Sequence, residues 1–112
     1  MGTTKIPYRF STSGSATSAT IGTITTVMNN VNTYTITPTG ACTFNATGGT
    51  IGQYCSFIVT TSGVTSFILT WGTNFKTTST LTTGTVTARF FTVSFVYNGT
   101  VWIETSRTIA MV

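Results

Sequence analysis

From position 21 onward, apolar and polar residues alternate along the chain with a period of two. This period places alternate side chains on opposite faces of a β-strand, one buried and one towards solvent. The pattern assigns the following residues to one face of their strands: Tyr34 and Ile36; Cys42 and Phe44; Cys55, Phe57 and Val59; Phe67, Leu69 and Trp71; and Phe91, Val93, Phe95 and Tyr97. Together with the intervening turn residues, it predicts strands over residues 21–28, 32–37, 41–46, 54–61, 65–71, 85–97, 100–106 and 109–112.

The turns and the strand spacing predict the fold class. Asn98-Gly99 is the strongest hairpin signal, because both central residues of a type I′ turn need a positive φ. Residues of high helix propensity are scarce, so we predict an all-β protein, an antiparallel β-sandwich or jelly roll with an extended N-terminal arm. We expect mainly antiparallel sheets, because parallel neighbours need a crossover connection and no helix-length segment is present.

Residues 1–20 differ in composition from the predicted β-sandwich domain of residues 21–112. Positions 11–20 contain almost only Ser, Thr, Ala and Gly, which is typical of a flexible linker. The preceding segment combines aromatic and basic side chains, and we predict that it binds a partner. The predicted contact residues are Lys5, Ile6, Tyr8, Arg9 and Phe10. The alternative is a frayed tail that has no role.

Charge is unusually scarce: the chain has five basic residues, one acidic residue and 31 threonines. Charged residues make up 5% of the chain, against roughly 25% in ordinary domains. Charged surfaces normally oppose self-association, so this composition predicts a protein that works inside an assembly. The basic residues are scattered, so nucleic acid is not an expected partner. No segment approaches the roughly 20 apolar residues of a membrane span, so no membrane partner is expected.

The chain lacks His and Asp, which excludes the usual catalytic triads and makes clustered metal ligands improbable. We therefore expect no enzymatic activity, no metal and no cofactor. Glu104 and Arg107 are candidates for an ion pair with a neighbouring chain, and the favoured alternative is two solvated side chains. Cys42 and Cys55 are predicted as buried reduced thiols, or as a disulfide if their strands are neighbours.

Three segments carry a resemblance to a known group of proteins. They are residues 48–53 (GGTIGQ), 69–76 (LTWGTNFK) and 92–104 (TVSFVYNGTVWIE). This part of the chain resembles a module of bacteriophage virion proteins, found in tail-fibre tips and capsid decoration proteins. The resemblance implies a β-sandwich or jelly roll that assembles as a trimer on a virus particle, and it carries no catalytic residues.

The resemblance leads to a capsid decoration (cement) protein as the expected function. Such a homotrimer would bind the major capsid protein on the outer surface of the virion, which assembles in the host cytoplasm, and stabilise the head. A domain that starts at Met1 with a short arm fits this role better than a fibre tip. The alternatives are a tail-fibre head that recognises a host glycan or protein through Tyr54, Trp71 or Phe75, and an ice-binding Thr-x-Thr array. The absence of a fixed Thr-x-Thr period disfavours the latter.

Overall fold

The computed structural model describes residues 15–17, 19–108 and 111 of the chain. The described residues contain strands and no helix, so none of them belongs to a helix that could cross a membrane. The prediction of an all-β protein is confirmed. The strands, in chain order, are β1 (Ser15–Thr17), β2 (Gly22–Val27), β3 (Thr33–Ile36), β4 (Cys42–Thr47), β5 (Tyr54–Thr60), β6 (Ile68–Trp71), β7 (Phe75–Lys76), β8 (Leu81–Thr82), β9 (Phe90–Tyr97) and β10 (Trp102–Arg107).

The strands form two sheets. Sheet A has the order β1-β3-β5-β9-β10-β7, and sheet B has the order β2-β4-β6-β8. From β1 to β6 the chain alternates between the sheets, so that β1–β2, β3–β4 and β5–β6 are three successive coils. Each strand of one coil pairs in parallel with its counterpart in the next. This winding is that of a short β-solenoid.

The prediction of mainly antiparallel sheets is wrong for these coils. Between the described strands, antiparallel pairing occurs at β5–β9, β9–β10 and β6–β8, while β10 pairs in parallel with β7. The expectation overlooked a second kind of crossover, in which the strand of the opposite sheet itself connects two parallel neighbours. Strand spacing is similar in a sandwich and in a coil, so the sequence pattern did not distinguish these two folds. The predicted jelly roll or antiparallel sandwich is therefore replaced by parallel coils that end in an antiparallel hairpin.

The core lies between the two sheets and confirms the predicted alternation. Phe57 stands at its centre, with ring centroids 5.3 Å from Tyr34, 5.5 Å from Phe44 and 5.6 Å from Phe95. These are favourable stacked or edge-on aromatic distances. The inward side chains that the sequence pattern assigned to one face and that are buried include Tyr34, Ile36, Cys42, Phe44, Cys55, Phe57, Val59, Leu69, Trp71, Phe91, Val93 and Phe95.

Three local features differ from the sequence prediction. Residues 15–17, predicted as part of a linker, form β1 against β3. The predicted strand 85–97 begins only at Phe90, and Ala88 before it has a φ of 58°, which a strand does not accommodate. The Asn98-Gly99 hairpin is present, but only Gly99 has a positive φ. The Asn98 side-chain oxygen instead accepts hydrogen bonds from the backbone N–H groups of Thr100 and Val101, at 2.9 and 2.8 Å.

Candidate functional site: the two outer sheet faces

The outer face of sheet A consists of hydroxyl rows beside an apolar row. Residues paired across neighbouring strands point to the same side of a sheet, so the pairing register defines each row. One hydroxyl row is Thr33, Ser56, Ser94 and Ser106, and the next row is Thr17, Thr35, Ile58 and Thr92. The hydroxyl oxygens of Ser56 and Ser94 lie 3.0 Å apart in a hydrogen bond.

The apolar row of sheet A is Tyr54, Val96 and Ile103, which pair across β5, β9 and β10. Tyr54 is 55% exposed and Ile103 is 38% exposed. An exposed row of this kind next to neutral hydroxyls is suited to contact with another protein surface.

The outer face of sheet B carries a second set of rows. Thr23, Thr43 and Thr70 form one row across β2, β4 and β6, and Thr25 pairs with Asn45 in the next. These side chains are exposed or half-buried. Connections of different length bring Thr23, Thr43 and Thr70 into register, although only Thr23 belongs to a Thr-x-Thr pair.

Charge is almost absent from the sheets. Eight of the described strands contain no charged residue, and the exceptions are β7, which contains Lys76, and β10, which contains Glu104 and Arg107. The outer face of sheet B is therefore uncharged throughout its described strands. In sheet A the same holds for β1, β3, β5 and β9. A partner that covers these parts of the two faces would desolvate no ionised side chain of the described strands.

Glu104 and Arg107 form a bidentate ion pair within the chain. The Arg107 Nε lies 2.7 Å from Glu104 Oε2, and Nη2 lies 2.8 Å from Oε1. Arg107 also donates to the backbone carbonyls of Ser79 and Thr80, and Glu104 accepts from the Thr78 N–H. The pair thus fastens the loop between β7 and β8 to β10. The two charges are therefore paired with each other within the chain. A contact of these residues with a neighbouring chain stays a prediction.

Hydrogen bonds from Arg107 hold the pKa of the Glu104 carboxyl below its usual value. The same contacts raise the pKa of the Arg107 guanidinium. Glu104 is the only Asp or Glu side chain in the sequence, and it is ionised and hydrogen-bonded in place. This arrangement makes it a structural anchor and a poor general acid.

The two cysteines are free and buried, in strands that belong to opposite sheets. This confirms the prediction of reduced thiols and removes the disulfide alternative. Burial raises the pKa of the Cys55 thiol to about 12 and also raises that of Cys42. Since the thiolate is the nucleophile, neither side chain is activated for reaction at neutral pH. In the described part of the chain, no three His, Cys, Asp or Glu side chains are grouped as metal ligands would be.

The aromatic residues considered for ligand stacking separate into two classes. Trp71 and Phe75 are buried, with ring centroids 5.3 Å apart, so they belong to the core and do not form a recognition surface. Tyr54 remains exposed. The predicted partner-binding residues Lys5, Ile6, Tyr8, Arg9 and Phe10 lie outside the described residues.

The hydroxyl rows were not predicted from the sequence, because only some of their members, such as Thr23, Thr33 and Thr35, belong to Thr-x-Thr patterns. Rows appear only when the register between strands is known. No protein-family model matches the chain, and no curated protein or solved structure is significantly similar to it.

Proposed function

We propose that the chain is a non-enzymatic structural protein of a bacteriophage particle. In this proposal it binds the outer capsid surface as a homotrimeric decoration (cement) protein, contacts the major capsid protein and stabilises the head. The observation that carries the proposal is the outer face of sheet A, where the uncharged hydroxyl rows of β1, β3, β5 and β9 border the exposed Tyr54–Val96–Ile103 row. Lys76 of β7 pairs with Ile103 and lies at the end of that row.

Neutral faces favour association of identical copies. The chain has a formal net charge of +4, so copies repel one another overall, but the face of β1, β3, β5 and β9 contributes nothing to that repulsion. Covering it removes apolar surface from water at about 25 cal/mol per Å² and leaves the hydroxyls to pair across the contact. Sheet A therefore provides the surface for the copies, and sheet B remains available to the capsid.

The first experiment measures the solution mass of the purified chain, then its binding to heads of the encoding virus that lack it. A threefold mass and saturable binding are expected. A matched set of single Thr→Lys variants locates the surfaces: Thr35→Lys on sheet A, Thr25→Lys on sheet B and Thr85→Lys in the exposed loop before β9. Thr35→Lys should weaken the trimer tenfold or more, because it buries a charge, and Thr85→Lys should change nothing. A monomer that binds no heads would overturn the proposal.

The exposed Tyr54 favours a second candidate, a receptor-binding head at the tip of a phage tail fibre. An exposed aromatic ring is a common platform for a sugar or a protein side chain. Binding of the purified protein to a glycan array or to host cells, reduced tenfold or more by Tyr54→Ala, would support this candidate. Head binding without adsorption to cells would exclude it.

The register of the hydroxyl rows favours a third candidate, ice binding. Thr23, Thr43 and Thr70 lie on neighbouring parallel strands, with a repeat of about 4.8 Å between strands. Asn45 interrupts the adjoining row of sheet B, so the array is small, and Ile58 interrupts a hydroxyl row on the opposite sheet. Thermal hysteresis of the purified protein decides this candidate, and its absence would exclude it.

A further inference from the structure

Asn98 and Gly99 form the exposed tip of the β9–β10 hairpin. The Asn98 side-chain oxygen accepts the backbone N–H groups of Thr100 and Val101 at 2.9 and 2.8 Å. The side-chain NH2 group of Asn98 and the backbone N–H of Gly99 make no hydrogen bond with any described residue. The tip therefore combines a polarised amide carbonyl, an unengaged backbone nitrogen beside it in the chain, and an amide nitrogen that is free to leave.

These groups are placed for a reaction within the chain. Attack by the Gly99 nitrogen on Asn98 Cγ closes a five-membered succinimide ring. Solvent hydroxide takes the N–H proton of Gly99, the N–Cγ bond forms, and the Cγ–Nδ2 bond breaks, so that ammonia leaves with a proton from water. Because nucleophile and carbonyl belong to adjacent residues, no entropy of association is lost. Water then opens the ring at one of its two carbonyls.

The two hydrogen bonds to the Asn98 oxygen assist the attack. Negative charge develops on this oxygen when Cγ is attacked, and donors already aimed at it stabilise the charge without reorganisation. The Thr100 and Val101 N–H groups have the distances of about 2.7–3.1 Å that such donors require. Ring closure consumes the Gly99 N–H, which no described hydrogen bond of the hairpin uses, so the strand pairing of β9 and β10 is preserved.

The other asparagines lack this combination. The backbone N–H groups of Val31, Ala46 and Phe75, which follow Asn30, Asn45 and Asn74, already donate to backbone carbonyls. Every asparagine except Asn98 is also followed by a residue with a side chain, which shields the attacking nitrogen. Position 98 is therefore distinguished from them both by its neighbour in the sequence and by its hydrogen bonds.

We propose that Asn98 is a site of self-modification, at which ring closure with Gly99 and hydrolysis convert the asparagine mainly to aspartate. In an unconstrained chain, water opens the ring more often at the main-chain carbonyl, which gives isoaspartate and routes the backbone through Cβ. In the hairpin, the Thr100 and Val101 N–H groups polarise the former side-chain carbonyl. Water therefore attacks that carbonyl, and aspartate results.

The two products differ in how they fit the turn. A carboxylate at position 98 accepts the same two N–H groups through stronger, charge-assisted hydrogen bonds, whereas isoaspartate lengthens the main chain of the loop by one methylene group. Conversion would add an exposed carboxylate to a chain whose one acidic residue, Glu104, is bound by Arg107. The formal net charge of +4 would fall by one. The inference does not depend on the proposed role in a virus particle.

Hydroxylamine, which cleaves the chain at a succinimide, tests the reaction. Treatment of the folded protein should cut the chain between Asn98 and Gly99 only, and mass spectrometry should find the fragments 1–98 and 99–112. Gly99→Ala, whose methyl group shields the nitrogen, should reduce cleavage severalfold once circular dichroism has shown a native fold. Thr100→Ala keeps its backbone N–H and should be cleaved like the unmodified chain. A folded chain that stays intact under conditions that cleave the denatured chain would overturn the proposal, whatever the variants do.

Ageing of the unmodified chain at mildly alkaline pH tests the selection of the product. Peptide mapping with isoaspartyl methyltransferase labelling separates the two products, and the variant Asn98→Asp is the reference for the aspartate form. Asn98 should convert roughly tenfold faster or more than any other asparagine of the folded protein, because its nucleophile is placed and its carbonyl is polarised. Aspartate should exceed isoaspartate in the folded protein and be the minor product in denaturant. An excess of isoaspartate in both states would overturn the proposed selection.

Discussion

The coils of β1–β6 and the β9–β10 hairpin are built in different ways. In the coils, paired residues are far apart in sequence: Ser15 pairs with Thr33, and Cys42 pairs with Leu69. In the hairpin, Tyr97 pairs with Trp102 across a four-residue loop, and their rings stack with centroids 4.8 Å apart. The coils contain no charged residue, whereas β10 carries the ion pair.

This difference shows how the two regions obtain their order. The hairpin is specified locally, by the Asn98 side chain and a short loop, and its edge is fastened by Glu104 and Arg107. The coils depend on the shared core between the sheets and on loops that accommodate unequal coil lengths. Non-local pairing is slower to form because the loops must close first. We therefore expect the hairpin to form before the coils during folding.

The largest effect is expected where the two regions meet, at Phe57. Its strand, β5, pairs in parallel with β3 and antiparallel with β9, and its ring contacts aromatic residues of both sheets. Phe57→Ala should lower the free energy of unfolding by about 3–5 kcal/mol, through lost burial and a cavity. Denaturant unfolding measures this loss. Phe90→Ala, at a position that is 49% exposed, should change stability by less than about 0.5 kcal/mol; equal losses would contradict the assignment of the core.

A glycine that connects the regions should give the next largest effect. Gly49 lies in the loop between β4 and β5 with a φ of 118°, and an added Cβ would stand 2.8 Å from a Trp102 ring atom. Gly49→Ala should therefore cost about 2–3 kcal/mol, from strain and crowding. Gly63→Ala has a φ of 72° and nothing within 4 Å of the new Cβ, so it should cost only about 1 kcal/mol. Thermal unfolding of both variants measures the difference, which combines crowding against the hairpin with the more strained φ of Gly49.

The Glu104–Arg107 ion pair belongs to the hairpin region and has no counterpart in the strands of the coils. Glu104→Gln leaves the Arg107 guanidinium without its counter-charge and should cost about 1–2 kcal/mol at neutral pH. The loop that contains Ser79 should then lose protection from hydrogen exchange, while β2 and β4 remain unchanged. Thr105→Ala, at an exposed neighbouring position, is the control. Loss of protection in the coils would contradict a local role for the pair.

Acid should destabilise the folded protein by protonating the Glu104 carboxyl. The pKa of Glu104 is lowered in the folded protein, so the folded state binds this proton less tightly than the unfolded state. The stabilisation that ionised Glu104 contributes is fully present above the ordinary carboxyl pKa. It is lost as the pH falls through the lowered pKa of the folded state. Denaturant unfolding between pH 7 and pH 2 should show this loss in the unmodified chain, whereas Glu104→Gln should show little of it.

The smallest effect at neutral pH concerns Cys55. Burial raises its pKa to about 12 from an ordinary value of 9.0. The unfolded state therefore releases this proton first, and stability should fall as the pH rises from about 9 towards 12. At pH 8 the native protein should resist thiol reagents, and two thiols should react after denaturation. Fast reaction of one thiol in the native state would show that the coils open there.

Local sequence patterns were sufficient to predict the all-β class, most of the inward residues and the position of the hairpin. Period-two alternation is a local property, so Phe57, Val59 and Phe95 were identified as inward without knowledge of their neighbours. The Asn98-Gly99 pair located the hairpin in the same way, although the turn type depended on the Asn98 side chain. The scarcity of charge and the absence of His and Asp were also visible in the sequence alone.

The pairing of neighbouring strands was not visible in the sequence and is known only from the tertiary structure. A strand of six residues has the same alternation in a parallel coil as in an antiparallel sandwich. The residues of Gly22–Val27 therefore do not indicate that this strand pairs with β4. The same holds for the hydroxyl rows, because Thr23, Thr43 and Thr70 are separated by unequal loops. Register depends on two neighbouring strands and on the core that they share. It is therefore determined only when the whole core has been packed.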